Sequence, residues 1–400
     1  MTASCLFCKN SIVEILCLGQ QPASNRFLRD GEVDEYTHPL TLGRCVDCGL
    51  LQLANPMPSH QLVPCFNWIH YNEPETHLDD VVDRIMLAGV VDREDAIGGL
   101  SYKDESTLAR FNSVGYTETL IIDPERDLGI GNQNAGLETI QERWTPNAAR
   151  KFAERNGSVK LLVARHILEH SHDTHRFLEA VQEAVVPGGY VLFEVPDFSK
   201  CLGNRDYCFL WEEHTIYFVP QTLKSIFSGR RGFRFVDMWH YEYPFENSLI
   251  ILLQLGEVSK KGATSRVLSD ETPVSFGGEF HARKKKVQEV VARFRQTGSR
   301  IAAFGAGHLA CKFINFYELG HWVDFVVDDH PGKQGLYLPG SRLPIVGSSE
   351  LDSGRVGLVL MSLSPESEEK VLLNQAERIA AGMKFVSMFE GSARSLLNEG

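Results

Sequence analysis

The stretch from Lys160 to Tyr217 restricts the fold more than any other part of the chain. An apolar run, Lys160-Leu-Leu-Val-Ala, reads as a buried strand ending in the polar tip Arg165-His166-Ile-Leu-Glu-His170. A helical pattern follows, then a Pro187-Gly188-Gly189 turn and a second apolar strand from Tyr190 to Pro196. Strand, polar tip, helix and strand predict half of a doubly wound α/β sheet, which binds ligands outside the carboxyl ends of its strands. Soon after comes Trp211-Glu212-Glu213-His214-Thr-Ile-Tyr217, crowded with groups able to move protons.

The segments before and after this stretch complete the sheet. Ala96-Ile97-Gly98-Gly99-Leu-Ser-Tyr102-Lys103-Asp104 reads as a short strand passing into a glycine turn and a helix over Ser106 to Ser113. A nucleotide-binding sheet keeps its first loop there, because glycines let the backbone approach a ligand at the helix N-terminus. The next strand ends in Asp123-Pro124, and an acid at the second strand tip, about 20 residues on, is placed to bind ribose hydroxyls. No extended G-x-G-x-x-G accompanies it. That favours S-adenosylmethionine, which carries no phosphate, over NAD. The candidate cofactor residues are therefore Gly98, Gly99, Tyr102, Lys103, Asp123, Pro124, Arg165 and His166. A further strand is expected over Leu137 to Glu142 and a helix over Asn147 to Arg155. A closing hairpin, Phe233 to Tyr243 and Ser248 to Gln254, completes the seven-stranded sheet of a class I methyltransferase, a Rossmann-like core.

Two matched cysteine pairs, Cys5-x-x-Cys8 and Cys45-x-x-Cys48, can supply four thiolates to one structural Zn²⁺. Between them lie short strand-like runs with too little apolar matter for a core, so a metal cross-link would hold this module together. From Gly256 to about Val274 the chain turns polar, and Arg283-Lys-Lys-Lys286 follows on a helix whose charges read as a solvated face. A second Rossmann-like unit starts at Arg300, with Phe304-Gly305-Ala-Gly307-His308 and a strand ending at Asp328. The expected organisation is a zinc module and connector over 1–75, a methyltransferase domain over 76–256, a linker and helix over 257–299 and a Rossmann-like domain over 300–400. The net charge of −12 argues against a nucleic-acid or anionic-membrane partner. No apolar run reaches a membrane span and no charged-then-apolar leader opens the chain, so a cytoplasmic monomer or homodimer is expected.

Zinc knuckles, methyltransferase core and Gly-x-Gly tail, in that order, resemble the deoxysugar C-methyltransferases. Further points of likeness are Leu18-Gly19-Gln-Gln-Pro22-Ala-Ser-Asn25, Glu213-His214-x-x-Tyr217 and Phe304-Gly-Ala…Asp328…Lys333-Gln-Gly…Pro339-Gly340. The resemblance implies methylation of a carbon beside a ketone in a small, nucleotide-linked sugar. It implies His214 as general base oriented by Glu213, with His170, Tyr71 and Tyr217 as further catalytic-site residues. Imidazole titrates near neutral pH, as such a base must, and Tyr and His can donate to an enolate oxygen. The chain departs from the family pattern in its Gly98-Gly99 loop and in having Trp211-Glu212 before the Glu-His pair. O- or N-methylation of another small metabolite stays open, as does a degenerate fold that binds a nucleotide-sugar without methyl transfer.

Overall fold

The computed structural model describes residues 4–69, 73–228, 232–256 and 271–399. Its strands are β1 (Ile12–Pro22), β2 (Thr37–Cys45), β3 (Leu51–Leu53), β4 (Ile97–Gly99), β5 (Thr119–Ile121), β6 (Val159–Arg165) and β7 (Val185–Asp197). They continue with β8 (Ile216–Tyr217), β9 (Phe233–Tyr241), β10 (Asn247–Leu255), β11 (Arg300–Phe304), β12 (Phe325–Val327), β13 (Ile345–Val346), β14 (Val356–Met361) and β15 (Lys384–Ser387).

Three sheets result. The central one runs β5-β4-β6-β7-β10-β9. Its first four strands are parallel, while β10 is antiparallel to both β7 and β9, so the expected closing hairpin is present. β6 is buried along nearly its whole length, as a parallel strand covered on both faces must be. Among the described residues this sheet has six strands rather than the seven expected, because Leu137–Arg143 is a helix. The apolar residues there, Leu137 and Ile140, stand three apart and are both buried with Gln141, a helical spacing that overrides the short apolar run.

The cysteine module is an antiparallel sheet, β1-β2-β3, whose fourth strand β8 comes from the segment following His214. Leu16, Leu40, Leu42 and Leu51 share one core with Phe198, Tyr217 and Phe276, so the module is roofed by later parts of the chain. The helix Thr272–Gln296 supplies Phe276 and crosses β1 so closely that a Cβ on Gly277 would lie 2.0 Å from the Ile15 carbonyl oxygen. Its basic run is spent in surface pairs, Arg283 with Glu390 and Lys284 with Glu318. The C-terminal sheet is wholly parallel, β13-β12-β11-β14-β15. The residues expected to form the linker, 257–270, lie outside the described set. Among the described residues no helix is long and apolar enough to cross a membrane.

Candidate active site and zinc centre

A cavity of about 660 Å³ opens where the carboxyl ends of β4 and β6 meet the Trp211–His214 loop. Tyr102, Lys103, His166, His170, Glu213 and His214 line it, so these six expected site residues are brought together. Tyr71 lies outside the described residues. The other expected residues do not line it and make the following contacts.

Gly98 and Gly99 sit inside β4, fully buried. A Cβ on Gly99 would meet Ile121 Cδ1 at 2.8 Å and Asp104 Cβ at 2.9 Å, and one on Gly98 would meet Val159 Cγ1 at 3.0 Å. An added side chain at either position would press on neighbouring core. Asp123 caps the helix Pro124–Leu128 by accepting from Arg126 N at 2.7 Å, and Pro124 occupies that helix's first turn. Arg165 is 1% exposed and acts as a buried tie. Its Nε reaches Glu194 at 2.5 Å, and its Nη1 reaches Glu75 at 3.0 Å and the Lys103 carbonyl at 2.6 Å. The Tyr217 hydroxyl donates to Trp211 O at 2.8 Å and accepts from Trp211 N at 2.9 Å, closing the loop that carries His214 from below. Glu213 was expected to orient His214. Instead its carboxylate accepts from Asn25 Nδ2 at 2.7 Å, and among the described residues no hydrogen bond joins it to His214.

The polar groups at the cavity form a graded charge system. His166, in a left-handed backbone conformation at φ 50°, packs its Nε2 3.2 Å from Glu194. Burial disfavours its charged form, but Glu194 and Glu169 outweigh that and push it up to about 10. Glu194 is fully buried; burial would raise its pKa, yet His166, His77 and Arg165 hold it well below the usual carboxylate range. His170 Nδ1 lies 2.8 Å from Glu138, whose carboxylate overcomes burial and raises the imidazole. His214 goes the other way. Burial, reinforced by the neighbouring imidazoles of His170 and His166, holds it well below the ordinary imidazole range. It is thus neutral, with its ring perpendicular to that of His170 at 4.8 Å between centroids. Glu213 is pushed well up by burial and by Glu138 and Glu212.

Sequence reasoning missed Glu194, Glu138 and His308. A single acid inside the apolar run Leu192-Phe-Glu194-Val was the available signal for the first. The second was hidden by reading its helix as a strand. His308 leads the helix His308–Phe316 and stacks on Trp211 at 4.1 Å and 9°, which nothing short of the tertiary fold reveals.

The four cysteines converge as expected. Their Sγ atoms lie within 4.8 Å of one another, Cys5 to Cys48 at 3.7 Å and Cys8 to Cys45 at 3.3 Å. A tetrahedral zinc with sulfur at about 2.3 Å separates its ligands by about 3.8 Å, so the set fits that ion. Backbone N–H groups of Cys8, Asp47 and Cys48 point at Sγ atoms at 3.4 to 3.5 Å, which favours thiolates over thiols. With every ligand a sulfur, this centre is structural.

Comparison with known proteins agrees with the geometry. Three family models match in succession: "Putative zinc binding domain" over residues 5–62, "Methyltransferase domain" over 104–263 and "C-methyltransferase C-terminal domain" over 254–389. These define the class: the chain is an S-adenosylmethionine-dependent methyltransferase with a structural zinc-binding region at one end and a C-methyltransferase C-terminal domain at the other. Within that class it is a homologue of the C-methyltransferase NovU of Streptomyces niveus, 24% identical over 392 residues, 94% of this chain and 92% of the relative. Among solved structures, the YcgJ protein of Bacillus subtilis is 10% identical with a TM-score of 0.30, covering 46% of this chain and 100% of its own. The CurJ carbon methyltransferase is 12% identical with a TM-score of 0.29, covering 45% of this chain and 54% of its own. At such scores the two structures carry no argument about this chain.

Proposed function

We propose that the chain methylates a carbon beside a ketone in a small, nucleotide-linked sugar, with His214 as the base. The observation that carries the reading is geometric: His214 and His170 meet at the cavity wall with ring centroids 4.8 Å apart, and His170 stands 2.8 Å from the Glu138 carboxylate. His214 Nε2 or Nδ1 would accept the proton from the carbon acid. His170, beside Glu138, would donate to the oxygen as enolate charge develops there. S-adenosylmethionine, when bound, supplies the electrophilic methyl group that ends on the carbon.

The residues present suit that cofactor. Lys103, a cation close to where a sulfonium would lie, is neutralised by Glu73 at 2.5 Å. Glu138 and Glu169 add negative potential to the wall, which favours a cationic sulfonium. We assign Tyr102, Lys103 and His166 to the cofactor end of the cavity and Trp211 to His214 to the acceptor end. The sugar part of the reading rests on the resemblance carried by Leu18 to Asn25 and by Glu213-His214-x-x-Tyr217. Asn25 has a visible reason to be in that motif, since it holds Glu213.

The test is exchange and turnover in heavy water with nucleotide-linked keto-sugars. His214→Ala should keep S-adenosylmethionine affinity within about twofold and lose both deuterium wash-in beside the ketone and methyl transfer, by about 10²–10⁴. Retained turnover would remove His214 as the base. Absence of cofactor binding by zinc-loaded wild-type protein would remove the enzyme reading as a whole.

A further inference from the structure

Glu169, His170 and His214 offer one ligating atom each within 4.8 Å of one another, at the wall of the cavity and remote in chemistry from the four thiolates. Glu169 is 1% exposed, and among the described residues neither of its carboxylate oxygens takes part in a hydrogen bond. The Nδ1 of His166 stands 3.6 Å from Oε1, beyond hydrogen-bond length. The charged imidazole of His166 offsets part of the cost of burying this carboxylate, and its second oxygen, Oε2, is left without a donor. His170 can meet a metal cation: Nδ1 lies 2.8 Å from the Glu138 carboxylate, and the other ring nitrogen becomes a ligand once the entering ion displaces its proton. A carboxylate behind a ligating histidine is the usual support of a protein-bound metal. His214 completes two imidazoles and one carboxylate, a donor set that suits Zn²⁺, Co²⁺, Fe²⁺ or Mn²⁺ and leaves coordination positions open.

We propose that the cavity holds a second divalent transition-metal site, formed by Glu169, His170 and His214, whose occupation shuts off proton abstraction. The site itself follows from the donor geometry. Its inhibitory consequence rests on the base reading above, because one lone pair on His214 cannot serve both the ion and the proton. An ion there would also compete with His170 for the acceptor's oxygen. The second site is weaker than the first by construction: three donors face four, and no thiolate is among them.

Cobalt is the probe. Protein carrying one zinc per chain, verified by metal analysis, is titrated with Co²⁺ and followed by visible absorption and by turnover. The expected result is one further equivalent with d–d bands but no thiolate charge-transfer band, and a fall in turnover with the same midpoint. Glu169→Gln should weaken this binding at least tenfold while keeping one zinc, and its residual turnover should no longer respond to Co²⁺. Should that variant fold poorly, Glu138→Gln, which frees His170 Nδ1, should weaken cobalt binding in the same direction. No second equivalent, or one indifferent to both variants, overturns the site. Binding that raises turnover overturns the inhibitory role. The absorption readout needs no acceptor, so a failure to find the methylated substrate leaves the site itself testable and touches only the inhibitory role.

Discussion

Asp206 sits just before the segment that packs under the long helix, and burial pushes its carboxyl up to about 7, with Arg283 and Asn204 pulling the other way. The folded-state value is above the unfolded one, so the folded chain binds the proton more tightly. Stability is therefore fully present below about pH 4 and is lost as the pH rises through about 7. With partial exposure discounted, the loss is about 2–3 kcal/mol. Asp206→Asn should flatten that part of the stability-against-pH curve and leave stability near pH 4 unchanged, as read by urea midpoints. A curve of the same slope in both proteins would assign the effect elsewhere. Residues of this kind show what sequence can and cannot give. The four cysteines were legible because their spacing alone implies a shared ion. Tyr217 and Asp123 were legible as residue types able to act in a site. Their observed work, closing the loop at Trp211 and capping a helix, depends on partners that only the fold supplies.

At the scale of elements, β4 and the helix Leu137–Arg143 mark two places where the fold adds to or departs from the pattern. The first was read as a ligand-binding glycine turn, although its glycines are inside the strand and accommodate Ile121, Leu108 and Asp104. The loop itself is built by Ser101, which caps the turn Tyr102–Asp104 while Asp104 accepts from Leu100 N and Ser101 N, both at 2.8 Å. Those side-chain caps were visible in the sequence as Ser-x-x-Asp, but glycine drew the inference away from them. Gly99→Ala should therefore cost about 1–3 kcal/mol of stability by overpacking. It should change S-adenosylmethionine affinity by less than about threefold in protein that remains folded. Lost affinity at unaltered stability would restore the ligand-approach reading. The parallel strands, the closing hairpin and the C-terminal sheet followed from period and order alone, since buried strands between helices allow few other arrangements.

Across the whole molecule, the three sheets converge on the His214 loop. Glu212, next to Glu213, forms a buried ion pair with Lys312 of the C-terminal unit and accepts from the Ser24 backbone of the cysteine module. Both charged side chains are about 1% exposed, so removing one partner strands the other. Lys312→Met should cost about 3–5 kcal/mol, whereas Lys312→Met with Glu212→Leu should recover much of it, a contrast that a double-mutant cycle in denaturant reads directly. The zinc end is coupled to the same loop through backbone. β3 pairs with β8 by Leu51 with Tyr217 and Gln52 with Ile216, and the Leu53 N–H donates to Thr215 O at 2.9 Å. β3 begins three residues beyond Cys48, on the chain that leaves the second knuckle. A structural metal whose ligands do not line the cavity thus holds one side of the segment that follows His214. Chelation of the zinc, or Cys45→Ser, should speed amide exchange at Thr215 to Tyr217 and lower turnover at least tenfold, although no cysteine lines the cavity. Hydrogen exchange and turnover measured on the same zinc-depleted sample decide the matter: full protection with full activity would uncouple the two centres.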